Sequence, residues 1–518
     1  MISFVRVWLL SRLFYWRHPR TFLAKARRWL ARRKSNKQYR KSLLPEEFPL
    51  LQTALCSFRL TVAMSVFRVP PQVLRAAIAS VQRQTFKEFE FLLLNDASPD
   101  PAVVRVLEEV ARDDSRMRLL HRSITGGLSV AANDLLASAQ GAFVAFVDHD
   151  DVLHPEALAS IVQAIERQPE VAWVFTDEDK VNARGDRQDP VFKFGFSHHL
   201  LLHWNYVSHF RVLRRDWSRN LGGFRLGFEG AQDWDLALRT VAAGGKFIHV
   251  PRILYHWRLS AGSMAAGAQA KTGANAKAKA AIREHLEKLL PPCQLRITPL
   301  FPGASIFQVR WQLSQTPEAS VLVPEGDSPP HWVQGHELVR VPDPGSAQSW
   351  QKAVARASNP IIVIPTPDMR CEDWQTLAGL LMLPGTVAAA GRWVKGGKVI
   401  ASGWIPDASG HWWDPWAGGK IYDPGYLNLA WLPQRRTLLP QRGWVAWRKA
   451  LLEGFEALPP IPGPWSPSFA VAKVPGEQVV TPGVSFRDHT SPFPPVPAAI
   501  NRTDLLWPSS AQKLGLLP

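Results

Sequence analysis

The apolar run Phe143-Val144-Ala145-Phe146-Val147 ends abruptly in Asp148-His149-Asp150-Asp151. Two carboxylates with one residue between them, at the end of a strand, can be aimed by a sharp turn at a single hard cation. Mg²⁺ and Mn²⁺ prefer oxygen ligands and typically take one or two carboxylates beside substrate phosphates. The same spacing also arises where Asp150 or Asp151 caps a helix containing Pro155 and Leu158, and Asp-x-Asp alone does not separate the two readings. Asp96, at the end of the run Phe89 to Leu94, either accepts hydrogen bonds from a base or ribose or closes an Asx-turn. Glu229, Gln232, Asp233 and Asp235 form an acidic cluster at the start of a predicted helix. His256 is a candidate third metal ligand and Arg258 a candidate partner for a diphosphate, although a lone histidine is more often structural.

The elements that must position these groups alternate between strand and helix. Thr61 to Phe67 reads as a strand, and Leu74, Ala77, Ile78 and Val81 follow at helical spacing. Phe89 to Leu94 reads as a buried strand, followed by a helix with Pro101 near its first position. A short strand around Met117 to Leu120, a helix after Gly126-Gly127 and the strand Phe143 to Val147 continue the pattern. Such alternation predicts an α/β, doubly wound parallel sheet, where ligands bind outside the carboxyl ends of the strands. Two of these strands end directly in carboxylates. Leu259 to Lys277, rich in Ala, Gly, Ser and Lys, reads as a mobile loop before a helix from Ala278 to Leu290.

At 518 residues the chain exceeds a single core. The expected division is a basic segment over 1–50, a first α/β domain over 55–290, a connector over 291–319, a second module over 320–490 and a Pro-rich tail over 491–518. The composition, 46% hydrophobic and 20% charged, argues against wholesale disorder. The three cysteines are far apart, without CxxC spacing, which suits a reducing compartment and offers no metal or redox motif. The net charge of +17 suggests a polyanionic partner: nucleic acid, an anionic membrane or phosphorylated substrates. From Arg6 to Lys41 there is no Asp or Glu, and the Lys and Arg residues are interleaved with Trp8, Phe14, Trp16, Phe22 and Trp29. No run there is long enough to span a bilayer, so the segment is expected to lie on anionic lipid, the alternative being a solvated or docked basic tail.

Taken in order, the segments resemble glycosyltransferase family 2. The resemblance covers about 200 residues and rests on Ala79-Ser80-Val81-Gln82-Arg83-Gln84-Thr85-Phe86, Leu93-Leu94-Asn95-Asp96-Ala97-Ser98 and Phe146-Val147-Asp148-His149-Asp150-Asp151. It continues through Phe175-Thr176-Asp177-Glu178-Asp179-Lys180, Gly222-Gly223-Phe224, Glu229-Gly230-Ala231-Gln232-Asp233-Trp234-Asp235-Leu236 and Tyr255-His256-Trp257-Arg258. The resemblance implies a GT-A, nucleotide-diphospho-sugar transferase fold and an inverting, metal-dependent hexosyltransferase activity. By it Asp96 holds the nucleoside, Asp148 and Asp150 bind the Mn²⁺ or Mg²⁺ that bridges the diphosphate, and Asp233 is the catalytic base. His256 would complete the metal shell and Arg258 would face the donor diphosphate. Asp177, Glu178, Asp179, Gln232 and Asp235 are acceptor-side candidates, the first three reading alternatively as a solvated acidic turn. Gln232 stands where many relatives carry Glu, and Phe67-Arg68-Val69-Pro70 replaces the family's Pro-x-Tyr/Phe-Asn.

Residues 320 to 490 resemble a weakened copy of the same fold. Ile361 to Ile364 is followed by Pro365-Thr366-Pro367-Asp368, with one carboxylate where the first copy has a pair. Such a degenerate module should be catalytically silent, and its tryptophans serve either its core or sugar stacking. The subgroup resembled is common in bacterial cell-surface polysaccharide pathways, O-antigen among them. It implies a nucleotide-diphospho-sugar donor, a glycan or lipid-linked acceptor, and a cytoplasmic enzyme peripheral on the inner face of the cell membrane. The competing classes are a non-catalytic glycan- or membrane-binding scaffold and a nucleotidyltransferase on a related fold. Nucleic-acid binding explains the charge but not the acids at strand ends.

Overall fold

The computed structural model describes residues 58–193, 195–259, 268–300, 304–315, 317–366, 368–395, 398–401, 405–406, 412–413, 434–435, 444–456 and 477–487. The basic segment, the Pro-rich tail and most of the tryptophan-rich stretch lie outside these residues.

The chain enters through β1 (Leu60–Val66), α1 (Pro71–Gln82), β2 (Phe89–Asn95), α2 (Pro101–Asp113), β3 (Met117–His121), α3 (Gly127–Ser138) and β4 (Phe143–Phe146). It continues through β5 (Val152–Leu153), α4 (Ala157–Arg167), β6 (Val171–Val181), β7 (Arg187–Val191), α5 (His198–His203), β8 (Arg211–Arg214), α6 (Arg215–Asn220), α7 (Gln232–Ala242), β9 (Lys246–Arg258) and α8 (Ala268–Leu289). The sheet order is β3-β2-β1-β4-β8-β6-β9-β5, with β7 paired to β6. Strands β1 to β4 are parallel, and β8 runs antiparallel between β4 and β6. Pro101 sits at the first position of α2, its missing N–H costing nothing there, while Asp100 caps the second.

Side chains alternate across the strands as a two-residue period requires. Val62, Met64, Phe91 and Leu93 enter a core under α1, α2 and α4, whereas Ala63, Leu92 and Leu94 face the other way. That opposite face does not close on its own helices alone. Its core runs on through α5, α7 and α8 into β10 (Cys293–Pro299) and β11 (Phe307–Leu313), and then into a second sheet.

The remaining elements are β12 (Ala319–Pro324), β13 (Glu337–Val341), α9 (Ala347–Arg356), β14 (Ile361–Ile364), α10 (Cys371–Leu381), β15 (Thr386–Lys395) and β16 (Lys398–Ala401). After them come β17 (Ile405–Pro406), β18 (Trp412–Trp413), β19 (Gln434–Arg435), β20 (Trp444–Trp447), α11 (Arg448–Glu456) and β21 (Glu477–Arg487). The second sheet repeats the first. β13-β12-β14-β20-β15-β21 matches β2-β1-β4-β8-β6-β9 in order and in the direction of every pairing. A polar clamp, buried in the first sheet and partly exposed in the second, is repeated with it. Thr61 Oγ1 donates to Glu90, which also accepts from Gln140 N, while Gly141 N donates to Thr61. Ser320 donates to Glu337, which accepts from Ser358 N, while Asn359 N donates to Ser320.

Two readings of the sequence need correction. The stretch Leu259 to Lys277 is not all loop: α8 begins at Ala268, because its alanine-rich sequence is the strongest helix former available and loses no side-chain entropy. Residues 291–319 are not a plain connector either. β10 and β11 form an antiparallel ribbon whose Phe307, Val309, Trp311 and Leu313 are buried in the shared core. Of the tryptophans that are candidates for sugar stacking (Trp404, Trp412, Trp413, Trp416, Trp431, Trp444 and Trp447), Trp447 is the one whose side chain lies among the described residues, and it packs against this core and donates its indole N–H to Thr386 O.

Candidate active site

The carboxyl ends of β1, β2 and β4 carry the site. Val147 N donates to Ala63 O, which prolongs the pairing of β4 with β1 until Asp148 leaves the sheet. The turn that follows is pinned from three sides. Asp151 N donates to Asp148 O at 3.2 Å, and His149 Nδ1 donates to Ser65 O at 3.0 Å. The buried Asp151 carboxylate accepts from Tyr255 Oη at 2.6 Å and from Arg258 N at 2.8 Å. Asp150 and Asp151 therefore do not cap a helix: α4 starts six residues later, at Ala157, and Asp151 instead anchors the turn to β9.

This arrangement leaves Asp148 and Asp150 as the two open carboxylates. Among the described residues no other residue donates a hydrogen bond to either side chain. Burial raises the carboxyl pKa of Asp150, with a further push from the neighbouring Asp148. Burial likewise holds Asp151 well above the ordinary carboxylate range, and holds the Tyr255 phenol well above its own. Concentrated negative charge with oxygen-only donors suits a hard divalent cation. The described residues contain no group of three or more His, Cys, Asp or Glu side chains able to hold a metal.

The structure does not bring His256 to that pair. Its Nδ1 donates to Asp179 Oδ1 at 2.6 Å, in register across β6 and β9, and its ring lies 6.2 Å from that of His154. Arg258 does reach the turn, where its Nε donates to Asp150 O at 2.8 Å. Asp96 spends its carboxylate on the loop after β3, accepting from Thr125 Oγ1 at 2.8 Å, Gly126 N at 2.8 Å and Gly127 N at 3.1 Å, with Arg122 at 3.2 Å.

Ala97, next to Asp96, has φ 56°, a left-handed conformation that costs a side-chain-bearing residue about 1 kcal/mol or more. Ala97→Gly should relieve it, for a net gain below about 1 kcal/mol because glycine also loosens the unfolded chain. A melting temperature about 1 °C higher by calorimetry is the expected reading, and a fall would show that the conformation is not strained.

Asp177, Glu178 and Asp179 are not a solvated turn. They lie within β6, Asp177 and Asp179 fully buried. Asp177 accepts from His249 Nε2 at 2.8 Å and Lys193 N at 2.7 Å; Glu178 pairs with the buried Lys193 at 3.0 Å; Asp179 pairs with Arg187 at 2.6 Å. Each is already satisfied by a cation or donor, as buried charge must be. Asp235 is also buried, held between Arg225 and Arg239, and braces α7 rather than facing outward.

Asp233 differs from these. It occupies the second position of α7, half-buried, with Oδ1 accepting its neighbour's amide Trp234 N at 2.9 Å. The loop leading to it turns at Gly223, where φ is 66° and a Cβ would stand 2.4 Å from Asn133 Oδ1. Only glycine fits there. Asn133 then clasps Phe224 through both its N–H and its C=O. Gln232 Oε1 accepts from Gly230 N at 2.6 Å, and Glu229, with its pKa lowered to about 2 by Lys277 above all, ties the same loop to α8.

Residues 61–223 match the glycosyl transferase family 2 profile. The chain carries a glycosyl transferase family 2 domain. Its first sheet is the GT-A fold, and Asp233 and β9 lie just beyond the matched stretch. Myxococcus xanthus "O-antigen biosynthesis protein RfbC" is 39% identical over 257 residues, which is 49% of this chain and 20% of that protein. Sinorhizobium fredii protein y4gI is 37% identical over 272 residues, 52% of this chain and 30% of that protein. The chain thus spans less than a third of the length of these relatives. Among solved structures, S. aureus TarS 1-349 in complex with UDP is 18% identical with a TM-score of 0.34, covering 44% of this chain and 71% of that one.

Sequence reasoning about this family 2 domain passed over two residues. Tyr255 holds the turn by its hydroxyl, and its place inside Tyr-His-Trp-Arg was the available signal. Arg211, at the start of β8, lies 3.9 Å from Asp233, and nothing in its local sequence distinguishes it from Arg214 or Arg215.

Proposed function

We propose that the family 2 domain is an inverting glycosyltransferase that moves a sugar from a nucleotide diphosphate to a hydroxyl of a glycan or lipid-linked acceptor. The observation that carries this reading is the pairing of two open carboxylates, Asp148 and Asp150, with an accessible third, Asp233. Phe146, two residues before Asp148, is in register with Arg211, which in turn faces Asp233.

A Mn²⁺ or Mg²⁺ ion bound by Asp148 and Asp150 would neutralise charge on the departing diphosphate. Arg258 holds the Asp150 carbonyl with Nε and keeps its remaining N–H groups for phosphate oxygens. Asp233 takes the proton of the acceptor hydroxyl as that oxygen attacks the anomeric carbon. The carbon–oxygen bond to the diphosphate breaks on the opposite face, so the configuration inverts. Asp96 shapes the loop 122–127 at the mouth of the nucleotide side through its four contacts. The name of the M. xanthus relative supports a role in O-antigen or related cell-surface polysaccharide synthesis. No helix of the described residues is long and apolar enough to cross a membrane, and the basic segment 1–41 is proposed to hold the enzyme on the inner membrane face.

Thermal stabilisation by UDP, dTDP, GDP and CMP, each with and without Mn²⁺, tests the donor site in the whole chain. The expected outcome is stabilisation by one nucleotide that needs the metal and disappears in Asp148→Asn. A folded protein that responds to none of them would instead favour a non-catalytic scaffold.

A further inference from the structure

Arg211 is an arginine placed against its own stability. Its residue is 9% exposed, and its Nε is buried with no hydrogen-bond partner. An unpaired buried donor costs about 1–3 kcal/mol. What holds the guanidinium there is a set of contacts at the carboxyl end of the sheet. Nη1 donates to Ser208 O at 3.2 Å, the group lies 5.5 Å from the centre of the Phe146 ring, and Nη1 stands 3.9 Å from Asp233 Oδ2. Phe146 is itself fixed edge-on to Phe224 at 5.3 Å. The strand that carries Asp148, the strand that carries Arg211 and the helix that starts with Asp233 are therefore joined through one side chain.

We propose that Arg211 is a positioning residue for Asp233: it ties the base carboxylate to the strand that bears the metal-binding turn. The proposal rests on the reading of Asp233 as the base. Asp233 has one oxygen occupied by the Trp234 amide, so its second oxygen is the one left to take a proton. Without a cation beside that oxygen, the side chain is free to swing to another rotamer and out of line with the acceptor hydroxyl. A charge pair at 3.9 Å is too long for a strong hydrogen bond, which suits a group that must steer the carboxylate without occupying its lone pairs.

The test uses the full chain with Arg211→Met, Arg211→Lys, Asp233→Asn and the double variant Arg211→Met/Asp233→Asn. Release of nucleoside diphosphate is followed from UDP-glucose, UDP-N-acetylglucosamine, dTDP-rhamnose and GDP-mannose, with Mn²⁺ and with water as acceptor. Arg211→Met should lower kcat by about 10- to 100-fold, leave the donor KM within about threefold and keep or raise the melting temperature. Arg211→Lys should recover part of the loss. The double variant should be no slower than Asp233→Asn alone, because the two act as one unit. Additive losses, a KM effect in place of a kcat effect, or a loss that tracks a lower melting temperature in both variants would overturn the proposal. Asp233→Asn at the wild-type rate would instead remove Asp233 as base. Crystal structures give a readout that needs no donor: Asp233 should change rotamer in Arg211→Met, and an unmoved carboxylate overturns the proposal.

Discussion

Asp233→Asn is expected to slow sugar transfer by about 10²–10⁴-fold, the usual contribution of a positioned general base, while metal-dependent nucleotide stabilisation stays at the wild-type level. Asparagine keeps the shape of the side chain and its acceptor for the Trp234 amide, so α7 should start as before. What it loses is the ability to take a proton. The neighbouring acid cannot substitute, because Asp235 is buried between Arg225 and Arg239. The measurement is single-turnover transfer with the donor identified by thermal stabilisation, at saturating metal. A loss of less than about tenfold would end the general-base mechanism, since no other carboxylate of α7 is open.

Acid should separate or unfold the chain through a group of histidines far from the chemistry. His198, His199 and His203 of α5, with His285 of α8, are buried where the first sheet's helices meet the ribbon and the second sheet. His198 Nε2 lies 2.6 Å from His285 Nε2, so one ring donates and the other accepts. His199 Nε2 pairs with Thr386 Oγ1 at 2.7 Å, and His203 Nδ1 donates to Phe307 O at 2.9 Å. Burial lowers the pKa of His199 to about 3 and those of His203 and His285 to about 4, and it holds His198 well below the ordinary value.

A folded-state pKa below the unfolded value of 6.5 means that the unfolded chain binds protons first. Stability is thus complete above about pH 6.5 and falls as the pH drops from there towards 4. At pH 5 each such ring removes on the order of 2 kcal/mol, against a total stability of about 5–15 kcal/mol. Urea unfolding at pH 7.5, 6 and 5 should show a steep loss, and His203→Gln, which keeps a donor for Phe307 O, should flatten the slope by about one proton. Equal stability at pH 7.5 and pH 5 would show that these rings are not neutral and buried together in solution.

The shared core also bears on Asp233. Trp234, next to Asp233, stacks on Phe307 at 5.6 Å and donates its indole N–H to Leu201 O. The ribbon beyond the first sheet thus backs the helix that presents Asp233, though it begins some 60 residues later in the chain.

Much was legible in the sequence because short-range rules decide it. Strand and helix alternation from β1 to β4 followed from apolar spacing, Pro101 marked its helix start, and the glycosyl transferase family 2 domain followed from motifs in order. The one-residue gap between Asp148 and Asp150 was likewise a local fact, as were the excess of basic charge and the absence of a paired carboxylate after β14. The tertiary structure decided which charges are open and which are spent. Asp177, Asp179 and Asp235 look in sequence like Asp148 and Asp233, but His249, Arg187, Arg225 and Arg239 take up their carboxylates. Those partners stand from 4 to 72 residues away; the i,i+4 pair Asp235–Arg239 follows a local helix rule, but the pairing of Asp177 with His249 depends on β6 and β9 being brought side by side. Arg211 is a clear case: its type is ordinary, and only the antiparallel pairing of β8 with β4 sets it between the strand leading to Asp148 and Asp233.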